Sequence, residues 1–246
     1  MTAPVGDPRP ASDRTHELAR VLSRTARLLQ EEHRDLEGTL QAVTASAVHV
    51  VPHVDECGIS YVIGRRRVVP RAATADLPRL VDELQERVGQ GPCLDAVWEH
   101  EVVRVDDVAG EDRWPDFARE AAALGAGSML CFRLFVQGDR LGALNLYART
   151  PHALDEESED VGRVLAAHAA VAIAGAEHEQ DLRTALGSRD VIGQAKGILM
   201  ERHRLTADQA FGVLARVSQE LNRKLVDVAR EVTDTGTVPG AGRRRD

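Results

Sequence analysis

The sequence predicts an α+β protein, in which an antiparallel sheet flanked by helices is joined by a long helix to a C-terminal three-helix bundle. Three observations carry this expectation. Short segments at 57–63, 128–136 and 140–147 switch to period two and read as strands. Around them stand segments whose apolar residues recur at three- and four-residue steps, the spacing of amphipathic helices. After Pro151 no proline recurs until Pro239, and the interval is helical in pattern throughout.

Taken in order, residues 1–14 carry three prolines, a glycine and no periodicity, and are expected to be a disordered lead. From Thr15 to Val51 the apolar positions Leu18, Val21, Leu22, Leu28, Leu29, Leu36, Leu40, Val43 and Val48 predict two helices or one broken one. The strand at 57–63 turns at Gly64 toward a second at about 68–73, which Pro70, lacking an N–H, assigns to a sheet edge. Leu77, Leu80, Val81, Leu84 and Val88 restore helical spacing, stopped by Gly89-Gln-Gly-Pro-Cys93. Gln137-Gly-Asp139 joins the strands 128–136 and 140–147 as a hairpin.

Asp155 can cap the long helix, with Glu156 and Glu157 in the first turn, where the helix dipole favours negative charge. Val161, Leu165, His168, Ala172, Gly175, Glu179, Leu182, Leu186 and Arg189 form a heptad-like stripe, and a homodimer packed along it is expected. Thr206-Ala-Asp-Gln209 is a capping box. It opens a helix with Ala210, Phe211, Leu214, Val217, Ser218 and Leu221 as its buried stripe. Asn222 then caps a helix carrying Leu225, Val228, Ala229 and Val232. Such short helices are unstable alone, so they are expected to fold as one bundle. Gly236 and Pro239 release a tail at 237–246.

Composition narrows the function. Hydrophobic residues at 43% and charged ones at 28% exclude a wholly disordered chain. No apolar run reaches the roughly 18 residues of a membrane span, and the first twenty residues lack the apolar centre of a signal peptide, so a cytoplasmic protein with no membrane partner is expected. Cys57, Cys93 and Cys131 form neither a disulfide frame nor a metal motif, and the nine histidines fall at no metal or triad spacing. No metal and no catalytic residue is therefore predicted. The net charge of −8 is unevenly divided: residues 1–180 hold 19 basic against 30 acidic side chains, residues 181–246 hold 12 against 9. Both lysines, Lys196 and Lys224, lie in the basic half, which points to an anionic partner or a solvated face.

The C-terminal residues carry a family resemblance. Ala185-Leu-Gly-Ser-Arg-Asp-Val-Ile-Gly-Gln-Ala-Lys-Gly-Ile-Leu-Met200, with Asp208-Gln-Ala-Phe211, Leu214, Ser218 and Asn222-Arg-Lys-Leu-Val-Asp-Val-Ala229, resembles the ANTAR domain, a three-helix RNA-binding module of bacterial antitermination regulators. Upstream, Gln85-Glu-Arg-Val-Gly-Gln-Gly-Pro-Cys-Leu-Asp-Ala96, Arg113-Trp-Pro-Asp-Phe117 and Gly142-Ala-Leu-Asn-Leu-Tyr147 resemble the GAF sensor domain of actinobacterial GAF–ANTAR proteins. The resemblance implies a GAF-like sensor over 15–176, a connecting helix with an RNA-binding domain over 177–236, and antitermination through paired hairpins in leader RNA. Ala215 and Val226 stand where such domains often carry arginine.

Arg189, Gln194, Lys196, Arg202, Arg216, Asn222, Arg223 and Lys224 are the RNA-binding candidates, with Arg and Lys on phosphate and Asn or Gln on exposed loop bases. Gly197, in mid-helix, costs about 1 kcal/mol relative to alanine and implies close approach by another backbone, a packed helix first and RNA second. Tyr61, Cys93 and Trp114 are the candidates for a small-molecule site in the sensor, whose ligand and cofactor the residues leave open. Cys93 is either a thiol activated near a helix start or a small packing residue. Two other functions stay open: a DNA-binding helix-turn-helix formed by 207–221 and 223–234, and a thiol enzyme like the GAF-fold methionine sulfoxide reductases.

Overall fold

A computed structural model describes residues 35–64, 67–98, 100–135 and 141–239. The expected disordered lead, the first part of the N-terminal helical pattern, the hairpin turn at 137–139 and the last residues of the tail lie outside them. The chain divides into two compact units, Met1–Glu177 and His178–Asp246.

The first unit is a five-stranded antiparallel sheet with a helical layer on each face. Helix α1 (Leu36–Val50) opens at Asp35, whose carboxylate accepts from the Gly38 N–H at 2.8 Å. Strands β1 (Glu56–Ile63) and β2 (Arg67–Ala73) form the first hairpin. Helix α2 (Asp76–Val88) closes at Gly89, which at φ 68° turns its N–H onto the Gln85 carbonyl. Three short elements that the periodicity does not predict come next: α3 (Pro92–Trp98), β3 (Val102–Val105) and α4 (Pro115–Ala123). The strong pair β4 (Ser128–Phe135) and β5 (Leu141–Ala148) completes a sheet of order β2-β1-β5-β4-β3. Pro70 does lie on an edge strand, beside a bulge where Ile59 pairs with Ala72 and Ser60 with Pro70.

Because side chains alternate across a strand, the sheet feeds two cores. Ile59, Tyr61, Phe132, Leu144 and Leu146 face α1 and the first part of α5 (Glu156–His203), meeting Leu40, Val43, Leu165 and Ile173. Here α5 lies so close that a Cβ at Gly162 would stand 2.6 Å from the Phe132 ring. On the other face Met129, Cys131 and Tyr147 meet α2 and α4 through Leu77, Val81, Leu84 and Phe117. There β1 touches α2 through Gly58, where a Cβ would be 2.8 Å from Pro78 Cβ. Truncating a buried ring such as Phe132 would cost about 3–5 kcal/mol. The expected dimer stripe divides: Val161 and Leu165 fill this unit's own core, whereas Leu182 and Leu186 are 51% and 60% exposed.

The second unit packs the end of α5 with α6 (Ala207–Glu220) and α7 (Leu225–Thr235) around Ala195, Leu199, Ala210, Leu214, Val217, Val228, Ala229 and Val232. The capping box is formed in full, with the Thr206 hydroxyl accepting from the Gln209 N–H and the Gln209 side chain accepting from the Thr206 N–H. Two expectations are corrected. Phe211 and Leu221 are 43% and 42% exposed rather than buried: Ala210, Leu214 and Val217 already complete the inward stripe, Phe211 is rotated about 100° from Ala210, and Leu221 lies one residue past the end of α6 as its C-cap. Asn222 is not the cap of α7; Lys224 holds that position, while Asn222 sits at φ 49° in the left-handed turn between the helices.

Candidate functional site

In the second unit the eight RNA-binding candidates fall into separate groups. The stretch of α5 around 185–196 and Phe211 of α6 border a concavity of about 860 Å³ lined by Ser188, Arg189, Ile192, Gln194, Lys196 and Phe211, among others. Arg189 and Gln194 are exposed and Lys196 half-buried. Two cations, an amide and an outward aromatic face thus share one open surface. Gly193 belongs to the same lining, and neither Gly193 nor Gly197 has an atom within 4 Å of where a Cβ would stand. The expectation that Gly197 marks a packed helix is thereby corrected: its flank opens onto free space.

The remaining candidates are engaged differently. Arg202 donates through Nη1 to the Gly236 carbonyl, tying α5 to the end of α7. Arg223 pairs with Glu231 at 2.6 Å, and its carbonyl accepts from the Ser218 hydroxyl at 2.6 Å, which fixes the α6–α7 turn. Asn222 and Lys224 are exposed in that same turn. Arg216, five residues beyond Phe211, points about 140° away from it around α6 and is also exposed. Phe211, read from periodicity as core, is the site residue that the sequence pattern missed.

In the first unit Tyr61, Cys93 and Trp114 do not converge. Tyr61 lies on the α1 face of the sheet, its hydroxyl donating to Glu177 Oε1 at 3.0 Å. Trp114 is held edge-on to Phe117 and donates from Nε1 to Asp95 Oδ2 at 3.0 Å. Cys93 packs against Val62, Val68 and Ala143. It does stand at a helix start, as the second residue of α3, but it is fully buried, and burial pushes the thiol up rather than down, as it does for Cys57 and Cys131; its surroundings are those of a small packing residue. A thiolate nucleophile is disfavoured at all three.

A different set of side chains meets between α2 and the sheet. Ser60, Asp82, Gln85, Asn145 and Tyr147 are all buried. The Ser60 hydroxyl donates to Asp82, and Asn145 Nδ2 lies 3.3 Å from Ser60 Oγ and 3.5 Å from Asp82 Oδ1. Gln85 Oε1 accepts from the Cys93 N–H at 2.9 Å. Burial pushes Asp82 up to about 7, aided by the Glu83 charge and opposed by the Ser60 hydrogen bond. Among the described residues Gln85 Nε2, Asn145 Oδ1 and Tyr147 Oη are buried without a partner. Each such group costs about 1–3 kcal/mol, so three in one layer mark an exception to a satisfied core. The sequence signal was faint: one Asn inside the apolar run of β5, and Asp82 and Gln85 on the same side of α2 as Pro78.

Fold and sites together define a two-part protein in which a sheet domain of the sensor type is coupled in one chain to a small helical domain with a cationic, aromatic-bearing concavity. Family models match both parts, a GAF domain over residues 33–174 and an ANTAR domain over 180–232. The chain belongs to the GAF domain family and carries an ANTAR domain after it. Its fold is similar to the GAF domains of phosphoenolpyruvate-protein phosphotransferases from Coxiella burnetii (19% identity, 68% of this chain and 98% of that one, TM-score 0.51) and Acinetobacter (18%, 67% and 97%, TM-score 0.53). A likeness also extends to the phytochrome photosensory core module of Stigmatella aurantiaca (14%, 89% and 47%, TM-score 0.54). No curated protein matches the sequence. Among the described residues no helix is long and apolar enough to cross a membrane.

Proposed function

We propose that the chain is a sensory regulator of transcription whose ANTAR domain binds hairpins in leader RNA under the control of a ligand at the GAF domain. The observation that carries this is the half-exposed Phe211 ring beside Arg189, Gln194 and Lys196. Proteins read single-stranded RNA loops by stacking splayed bases on aromatic faces while cations hold the phosphates. Open glycine flanks at Gly193 and Gly197 support close approach of a backbone to this surface. Leu182 and Leu186, exposed four residues apart on α5, support pairing with a second copy, so that two modules hold two hairpins.

The helix-turn-helix alternative loses support, since Arg223, at the start of its recognition helix, is paired with Glu231. The test is competition between paired hexaloop hairpins and duplex DNA for the full chain across a salt titration. Hairpin preference with affinity falling steeply as salt rises is the expected outcome. Preference for a defined duplex, or no hairpin binding at low salt with and without cell extract, overturns it.

A further inference from the structure

Orphaned groups between α2 and the sheet carry an inference that rests on the sensory reading of the GAF domain and adds a ligand class to it. The orientation of both amides is set by their bonded ends. Gln85 spends its oxygen on the Cys93 N–H, which leaves its NH2 as the open donor. Asn145 turns its nitrogen to Ser60 and Asp82, which leaves its oxygen as the open acceptor. Tyr147, two residues along β5 and so on the same face of the sheet, adds an unpartnered hydroxyl. The one readily ionised group in the cluster is Asp82, and the influences acting on it are burial, Ser60 and Glu83, with no cation among them. Cys93 from α3, Cys131 from β4 and Tyr147 from β5 stand nearby, and burial keeps all three protonated and neutral.

We propose that this cluster binds a small molecule bearing a positively charged nitrogen, an amidinium or ammonium group, which donates to Asp82 and Asn145 while Gln85 and Tyr147 donate to an acceptor elsewhere on the ligand. An anionic ligand would meet an acidic side chain in a buried layer, whereas a cation supplies the charge that an ionised Asp82 lacks. Binding of the cation selects the ionised form and releases a proton. With Asp82 titrating at about 7, its ionised fraction goes from about one eleventh at pH 6 to about ten elevenths at pH 8, so affinity for the cation rises about tenfold over that interval.

Acetamidinium and ethanolammonium chloride are titrated into the full chain at pH 6 and pH 8, against acetamide, sodium acetate and inorganic phosphate, with calorimetry and melting temperature as readouts. The cations are expected to raise the melting temperature, to bind about tenfold more tightly at pH 8, and to lose both effects in Asp82→Asn. Tyr147→Phe, which removes only an orphaned hydroxyl, keeps the test informative if Asp82→Asn folds poorly; it should weaken binding of ethanolammonium, whose hydroxyl oxygen can accept from Tyr147, several-fold relative to acetamidinium, which has no acceptor, with the free protein's melting temperature unlowered. Equal binding of acetamide, stabilisation by acetate or phosphate, or undiminished cation binding in both variants overturns the proposal. So does the absence of any response together with a high-resolution structure showing ordered water alone on Gln85 Nε2 and Asn145 Oδ1. Cation binding that leaves RNA affinity unchanged would sink the sensory reading and spare the site; phosphate binding that alters RNA affinity would do the reverse.

Discussion

Replacing Phe211 with alanine separates a contact role from a core role. A fully buried phenylalanine would cost about 3–5 kcal/mol on truncation and take the bundle down with it. Phe211 is 43% exposed, its neighbours Ala210 and Leu214 provide the buried contacts, and the capping box that starts α6 does not involve the ring. The stability loss should therefore be about half that of a core ring, roughly 2 kcal/mol. If a loop base stacks on the ring, the same change removes about 1–3 kcal/mol of binding, about 5- to 150-fold in affinity. Fluorescence anisotropy on a labelled hairpin pair gives the affinity, and circular dichroism melts of the same samples give the folded fraction. Phe211→Leu provides the control, preserving apolar contact while removing the flat face. The reasoning is refuted if Phe211→Ala binds RNA as the wild type does, or if its affinity falls only in proportion to lost helicity at the assay temperature.

Lys196→Ala should weaken RNA binding across all sequences and reduce the slope of log affinity against log salt by about 1, with stability changed by less than about 0.5 kcal/mol; an unchanged slope would remove Lys196 from the interface. Arg202→Ala should lower the melting temperature of the helical domain, because its bond to the Gly236 carbonyl is lost. Exposure limits the effect to about 0.5–1 kcal/mol, and a variant that melts like the wild type would show the bond to be immaterial. Asp82→Asn should change the pH dependence of stability. Folded Asp82 holds its proton more tightly than the unfolded chain, since its pKa is raised from 3.8 to about 7. Its contribution is complete below about pH 4 and is lost as pH rises through about 7. The melting temperature of the variant relative to wild type should therefore rise between pH 5 and pH 8, and a constant difference would contradict burial of the carboxyl.

The β4–β5 pair and the edge position of β2 were legible because apolar alternation and Pro70 are local signals. Helix α3 and strand β3 escaped notice because seven and four residues span too few periods to register. The C-terminal bundle was legible from its capping box and ordered motif, but not which way Phe211 turns, since an apolar residue beside a buried stripe has the same spacing signature as one within it. Cap preference misassigned Asn222 because the same residue type also tolerates the left-handed backbone that a tight turn demands. The buried polar cluster draws Ser60, Asp82 and Asn145 from three elements far apart in sequence, and only tertiary packing gathers them.

Gly58 acts as a missing shim. With no side chain at that point, α2 rests directly on β1 at Pro78, and the short hydroxyl of Ser60 reaches the carboxyl of Asp82. A methyl group there would pry the layers apart, admit water along the seam, and return the carboxyl toward the acidity of a surface aspartate. The proton affinity of a side chain on α2 is thus governed by the smallness of a residue on β1 that has no chemistry of its own. A Gly58→Ala protein would keep every polar group of the cluster and still lose the dry setting that distinguishes Asp82 from the other aspartates among the described residues.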